Sequence, residues 1–358
     1  MGQATLVGMV TLHIAALDVD DPSEAQRVVD AFAAADAVDR PWHPGFPAAV
    51  VQVLATHGWD GDPELFFLGR DADGTVVGAG WAVLPTRDNL NAALVGVRVV
   101  PAHRGKGVGS AFVEHLERVA AAAGRTKLFG GGPESDAGRR FAEAHGYAVA
   151  SVGMTRRVDL GGVSAEAVQA AFDEAEPHAR EYELVRLAGP LPTELMEAYV
   201  EAVSAINDAP LDDLDVDDEV FDGDRVRAYE QGQLLSGHRL YRVLARHRDT
   251  GAVAGHTVVA VETERSHLGD QHDTTVVGAH RGHRLGLLLK ADMMRWLRDV
   301  EPELRTISTQ NAASNAHMIA VNERLGYRVL GRSTEYQRDL PDTVPASSRG
   351  AGSVTGTA

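Results

Sequence analysis

The chain has 358 residues, 44% of them hydrophobic and 24% charged, enough apolar material for two cores of ordinary domain size. A formal net charge of −17 argues against a nucleic-acid surface, and the absence of cysteine excludes disulfides, thiol catalysis and thiolate-bound metal. No apolar run is long enough to span a bilayer, and Met1–Leu6 lacks the basic-then-apolar order of a signal peptide, so a cytoplasmic protein without a membrane partner is expected.

In chain order, a β-type run at 5–16 precedes a helical stretch opened by Asp21-Pro22-Ser23-Glu24. Residues 65–70 and 75–84 alternate as strands about the turn Asp71-Ala72-Asp73-Gly74. An apolar strand at 92–100 leads into a helix at 107–123, with Val108, Phe112, Leu116 and Val119 on one face. A strand at 126–130, a helix at 135–145 and β-type segments to Leu160 follow. The order then repeats. Strands at 181–188, 240–248, 252–262 and 273–278 precede a helix at 285–299, a strand at 305–310, a helix at 313–325 and strands to Leu340. Residues 161–180 read as a linker, although 165–175 is helix-prone, and the small polar residues of 342–358 read as a disordered tail.

The repeat is visible residue by residue. Val99-Val100-Pro101-Ala102-His103-Arg104-Gly105 returns as Val276-Val277-Gly278-Ala279-His280-Arg281-Gly282, 177 residues later and identical at six of seven positions. Gly74–Gly78 and Gly251–Gly255 share that offset, and Gly146-Tyr147 returns as Gly326-Tyr327. A period of this size implies a duplicated domain: 1–160 and 181–341.

Between strand and helix, Arg104-Gly105-Lys106-Gly107-Val108-Gly109 has the makings of a phosphate loop. Glycines remove Cβ atoms that would block a phosphate, and a helix N-terminus supplies free N–H groups and partial positive charge. The spacing is neither that of a Walker A loop nor that of a dinucleotide fingerprint.

At these residues the chain resembles the GNAT acyltransferase superfamily, whose Gln/Arg-x-x-Gly-x-Gly/Ala loop follows the fourth strand and binds the pyrophosphate of acyl-CoA. Arg104, Gly107 and Gly109 fill the pattern; in the second half Arg281 and Gly286 fill it, but Arg284 replaces the first glycine. The resemblance implies an α/β (α+β) fold of two consecutive domains, each a central mixed sheet flanked by helices. It also implies acetyl-CoA as cosubstrate and a small-molecule amine as acceptor. Its expected cofactor contacts are Val99, Val100, Arg104, Gly105, Lys106, Gly107, Val108, Gly109 and Ser110 in the first half. In the second they are Val276, Val277, Arg281, Gly282, His283, Arg284, Leu285, Gly286, Asn311 and Asn315. Of these, a backbone N–H of Val99 or Val100, and of Val276 or Val277, is the expected oxyanion donor. The tyrosine that many relatives carry four residues before the Gly-Tyr glycine is replaced by Ala142 and Asn322.

For the general base the sequence offers Asp273, on the face of Thr275, and Glu262 at the end of the preceding strand. The first half has no acid between Asn89 and Val100, so the second half is expected to catalyse. The acidic run 207–224 is expected to border the acceptor groove. Asp213, Asp215, Asp217 and Asp224 have calcium-loop spacing, but Asp218 stands where glycine is required and Asp224 where glutamate is. No metal site is expected.

Overall fold

The computed structural model describes residues 3–7 and 10–341; the tail expected at 342–358 lies outside them. In the first half, the run read as one strand is a hairpin, β1 (Gln3–Val7) and β2 (Val10–Ala16). Helix α1 (Pro22–Asp39) starts where expected, with the Asp21 carboxylate accepting from Ser23 N and Pro22 in the first turn. After α2 (Ala48–His57) come β3 (Glu64–Arg70), β4 (Val76–Val83) and β5 (Ala92–Val99). Helix α3 (Val108–Ala122), β6 (Lys127–Pro133), α4 (Asp136–Ala144) and β7 (Ala148–Asp159) complete it.

The second half follows as α5 (Ala165–Ala175), β8 (Tyr182–Ala188), α6 (Met196–Ser204), α7 (Gly223–Leu235), β9 (His238–His247), β10 (Val253–Glu262) and β11 (Leu268–Val276). Helix α8 (Leu285–Val300), β12 (Thr306–Ala312), α9 (Ala316–Arg324) and β13 (Arg328–Asp339) end it. Residues 161–180, expected as a linker, thus hold α5. Its Val168, Ala171 and Ala175 are buried in one core with Leu285, Leu288 and Leu289 of α8.

Among the described residues thirteen strands form one sheet in the order β1-β2-β3-β4-β5-β6-β13-β7-β12-β11-β10-β9-β8. The halves exchange their last strands. β13 lies between β6 and β7, and β7 pairs with β12 of the other half. The pairings are reciprocal: Glu335 opposes Gly131 and Ser151, while Thr155 opposes Gln310 and Gly331. The cores cross over with the strands. Val158 and Leu160 sit in the cluster built on α8, and Tyr336 joins Ala93, Val113 and Tyr147.

Among the described residues two pairings are parallel, and both are short. β5 and β6 pair over Ala92–Val95 with Lys127–Gly130; β11 and β12 pair over Leu268–Asp270 with Thr306–Ser308. Past these residues no further pairs join the two strands of either couple. α3 is seated over β3 and β4 by Phe112, which is fully buried. A Cβ at Gly69 or Gly80 would come within 2.7 or 2.9 Å of its ring, which explains glycine inside these strands. That seating aims the N-terminus of α3 at the opening between β5 and β6.

Candidate active site

In the first half the opening is a cleft of 760 Å³. One wall is β5 from Val95 to Val99, the other β6 from Gly130 to Pro133; Arg104, Gly105, Gly107, Gly109 and Ser110 close one end. Gly107, with φ of 83°, caps α3 in the left-handed region, and Gly105 has φ of 72°. The N–H groups of the helix's first turn have no intrahelical acceptors and are free for an anion. A Cβ at Gly109 would stand 3.1 Å from the Phe141 ring, so the glycine lets α4 approach the loop. The Ser110 hydroxyl meets His145 Nε2 at 3.0 Å. Val108 turns into the core and Lys106 is exposed.

Arg104 is engaged elsewhere. Its guanidinium forks onto Asp39 at 2.9 and 2.6 Å, and its Nε donates to Val99 O. Val100 N–H donates to Val77 O at 3.0 Å, so it is spent on the neighbouring strand. Strand alternation then turns the N–H groups of Val99 and Val97 toward the cleft. Val97 was missed because the sequence does not fix the phase of pairing. The glycine run 130–132 was also missed, although three glycines in a strand signal a close approach.

The second half keeps the loop's shape and ties it down. Gly282 has φ of 87°, and Arg284 holds the left-handed cap position at 54° that glycine holds in the first half. Arg284 reaches Glu174 of α5 at 2.8 Å, Arg281 reaches Asp208 at 2.7 Å, and His283 meets the carbonyl of His178. Val277 N–H goes to Ala254 O, leaving Val276 as the residue that turns toward β12. Leu285 and Gly286 are buried in the first turn of α8. Asn311, expected near the cofactor, accepts from Asn322 of α9 at 2.8 Å; Asn315 is the N-cap of α9, accepting from Met318 N. Thr309, Gln310 and Asn311 stand where the first half has its three glycines. Lys290, in the place of Val113, is buried over the Tyr327 ring, and burial lowers it to about 7.

The two expected carboxylates are not brought together. Glu262 is locked to Arg265 by two bonds of 2.6 and 2.9 Å. Asp273 lines a separate cavity of 140 Å³ with Trp59, Tyr199, Glu219, Arg225 and Tyr229. Burial raises it above the usual carboxylate range, against the pull of Arg242 and Arg225. The acidic run does not stand free beside it. It straps across the first half: Asp212 on Ser151, Asp215 on Lys127, Asp217 on Asn89, and Asp222 capping α7 while facing Arg87.

A glycine-capped helix N-terminus facing a cleft between diverging parallel strands is a site for an anionic ligand with room for an extended arm. Residues 32–147 match the Acetyltransferase (GNAT) family model. Among solved structures, the chain is similar to a tandem GNAT protein from the clavulanic acid biosynthesis pathway, solved without AcCoA. The identity is 27%, with 92% of this chain and 98% of that one covered and a TM-score of 0.75. Two others share the fold. A GCN5-related N-acetyltransferase from Sphaerobacter thermophilus has 17% identity, 91% and 95% coverage and a TM-score of 0.64. A glucosamine N-acetyltransferase region of a fungal multi-domain GH3 β-N-acetylglucosaminidase has 14% identity, 92% and 38% coverage and a TM-score of 0.60. No curated protein sequence matches. The family match thus covers the first half, and over its whole length the chain is similar to a tandem GNAT protein, of the class of enzymes that transfer acyl groups to amines. Among the described residues no helix is long and apolar enough to cross a membrane.

Proposed function

We propose that the chain transfers an acyl group, acetyl in the first instance, from CoA to the primary amine of a small molecule, and that the first-half cleft holds the acyl-CoA. The observation that carries this is the 760 Å³ opening beside the Gly107 cap, a volume in the usual range for ligand sites. The residues fit the group: the free N–H groups of the α3 first turn suit the pyrophosphate, and the glycine wall of β6 leaves room for the pantetheine arm. When bound, acyl-CoA supplies an activated carbonyl with a good leaving group. The Val97 and Val99 N–H groups then suit the carbonyl oxygen, which gains charge during transfer. Tyr147 and Tyr336 are the phenols lining the cleft. Burial of Tyr147 pushes its hydroxyl up, so it stays protonated and able to donate. A cysteine-free chain using CoA suits the cytoplasm.

A second reading puts the transfer in the second half, with Asp273 anchoring or deprotonating the amine; its place in the 140 Å³ cavity favours that. Release of CoA thiol from acetyl-CoA across aminoglycosides, polyamines and amino acids tests the activity. Calorimetry of acetyl-CoA with Gly107→Val tests the place. Loss of binding supports the first-half cleft, and unchanged binding rejects it.

A further inference from the structure

The exchanged strand β13 sets one carboxylate against a glycine that lines the first-half cleft. Glu335 opposes Gly131, one residue past the last parallel pair of β5 and β6, Val95 with Gly130. The backbone of Gly131 lines the cleft. A Cβ there would run into the Glu335 carboxylate, whose Oε1 would lie 3.0 Å away. The carboxylate therefore rests over the bare backbone of a glycine that lines the opening. The cation that faces it is Arg98 of β5, which approaches Asp36 of α1 at 3.9 Å. From β7 it is opposed by Ser151, which holds Asp212 of the strap, and on its own strand it has the Ser333 hydroxyl. Burial raises Glu335 above the usual carboxylate range, with Ser333 and Arg98 opposing. A base so raised can accept a proton that an ordinary surface carboxylate would not hold.

We infer that Glu335, delivered by the second half, is the general base of the first-half site. The inference rests on acyl-CoA occupying the first-half cleft. As the amine nitrogen bonds to the acyl carbon, the carbon–sulfur bond breaks and its electron pair leaves with the thiolate. The amine's proton passes to Glu335, directly or through one water, and then to solvent. The equivalent position in the second half is Thr155 over Gln310, and neither can take up a proton. No acid on the fourth strand signals this base, which lies in the other repeat, 236 residues beyond Val99 in the chain.

The test uses the full chain, acetyl-CoA, and methylamine beside the amine panel. Glu335→Gln should cut thiol release about a hundredfold and abolish the acidic limb of the rate–pH profile. Acetyl-CoA affinity by calorimetry should change less than about twofold. Glu335→Asp keeps the charge, guards against a folding defect, and should retain the limb at a reduced rate. If wild-type protein binds acetyl-CoA but Glu335→Gln keeps its rate and pH profile, the Glu335 assignment alone is overturned. If wild-type protein binds no acetyl-CoA, or releases no thiol with any amine, the proposed function falls and Glu335 with it.

Discussion

The two halves share a frame and differ in what fills its central gap. In the first, β6 runs Gly130-Gly131-Gly132 past α3 and leaves a cleft; in the second, β12 runs Thr309-Gln310-Asn311, and Asn311 is bonded across to Asn322. The loops diverge in the same sense. Gly107 leaves its helix terminus bare, whereas Arg284 takes the same backbone conformation with a side chain attached and hooks it onto Glu174. A non-glycine residue there costs about 1–3 kcal/mol, which its ion pair and the packing of α5 must offset. Duplication thus preserved the backbone while side chains left a cleft open in one copy and turned the other toward internal contacts.

The strongest way to break this comparison is to separate the halves. Fragments 1–160 and 161–341 each leave behind a strand that the other needs: β6 loses β13, and β12 loses β7. Neither fragment should unfold cooperatively by circular dichroism, and mixing or coexpressing the two should restore one transition. A first-half fragment with a cooperative transition of its own would mean that the exchange is dispensable.

Next comes the loop. Gly107→Val with Gly109→Val should weaken acetyl-CoA at least about a hundredfold in calorimetry, through left-handed strain at Gly107 and lost N–H contacts. Gly286→Val should leave affinity within about twofold, since the nearest atom to a Cβ there is His317 Nε2 at 4.0 Å and no ligand contact is at stake. Equal losses from both would mean that each half binds CoA.

A smaller effect sharpens the reason for the difference. Arg284→Gly restores the glycine and releases Glu174, which still has Arg324 at 3.0 Å. Stability should change by no more than about 1 kcal/mol in thermal melts, because lost strain and the lost exposed pair oppose each other. Acetyl-CoA stoichiometry should stay at one per chain, because Lys290 over Tyr327 and the Asn311–Asn322 bond still stand where the first half has Val113 and its glycines. A stoichiometry of two would place the whole block in one arginine.

Much of this was legible in the sequence, and the illegible parts have a common cause. The loop, the repeat and most elements are local: glycines at Gly105 and Gly107 mark left-handed backbone, and Asp21-Pro22 marks a helix start. Strand exchange is not local. β7 and β13 have the same length and place in each repeat, and no periodicity says which neighbour each one pairs with. The same blindness hid Glu335, turned the acidic run from a groove border into a strap, and concealed that α5 belongs to the α8 core. The choice between Val99 and Val100 stayed open for a smaller reason: alternation gives two faces, and only the pairing with Val77 says which N–H is already spent.

The mildest variant is the most discriminating between the two readings. Asp273 is held by burial above its ordinary value of 3.8, so the native state binds its proton more tightly than the unfolded chain does. Stability from this group is therefore greatest at low pH. It declines as pH rises from the ordinary value to the raised one, and the full penalty applies above that. Asp273→Asn removes the penalty while keeping the shape. It should raise the melting temperature at neutral pH, and the gain should shrink toward zero as pH falls to about 4. With the chemistry in the first half, thiol release should stay within about twofold of wild type, as Asp273 lines a cavity that shares no residue with the cleft. Melts at pH 4 and 7.5 together with steady-state rates measure both parts. A collapse of turnover with acetyl-CoA affinity intact would move the transfer to the second half. It would also make the buried charge at Asp273 a cost retained for catalysis.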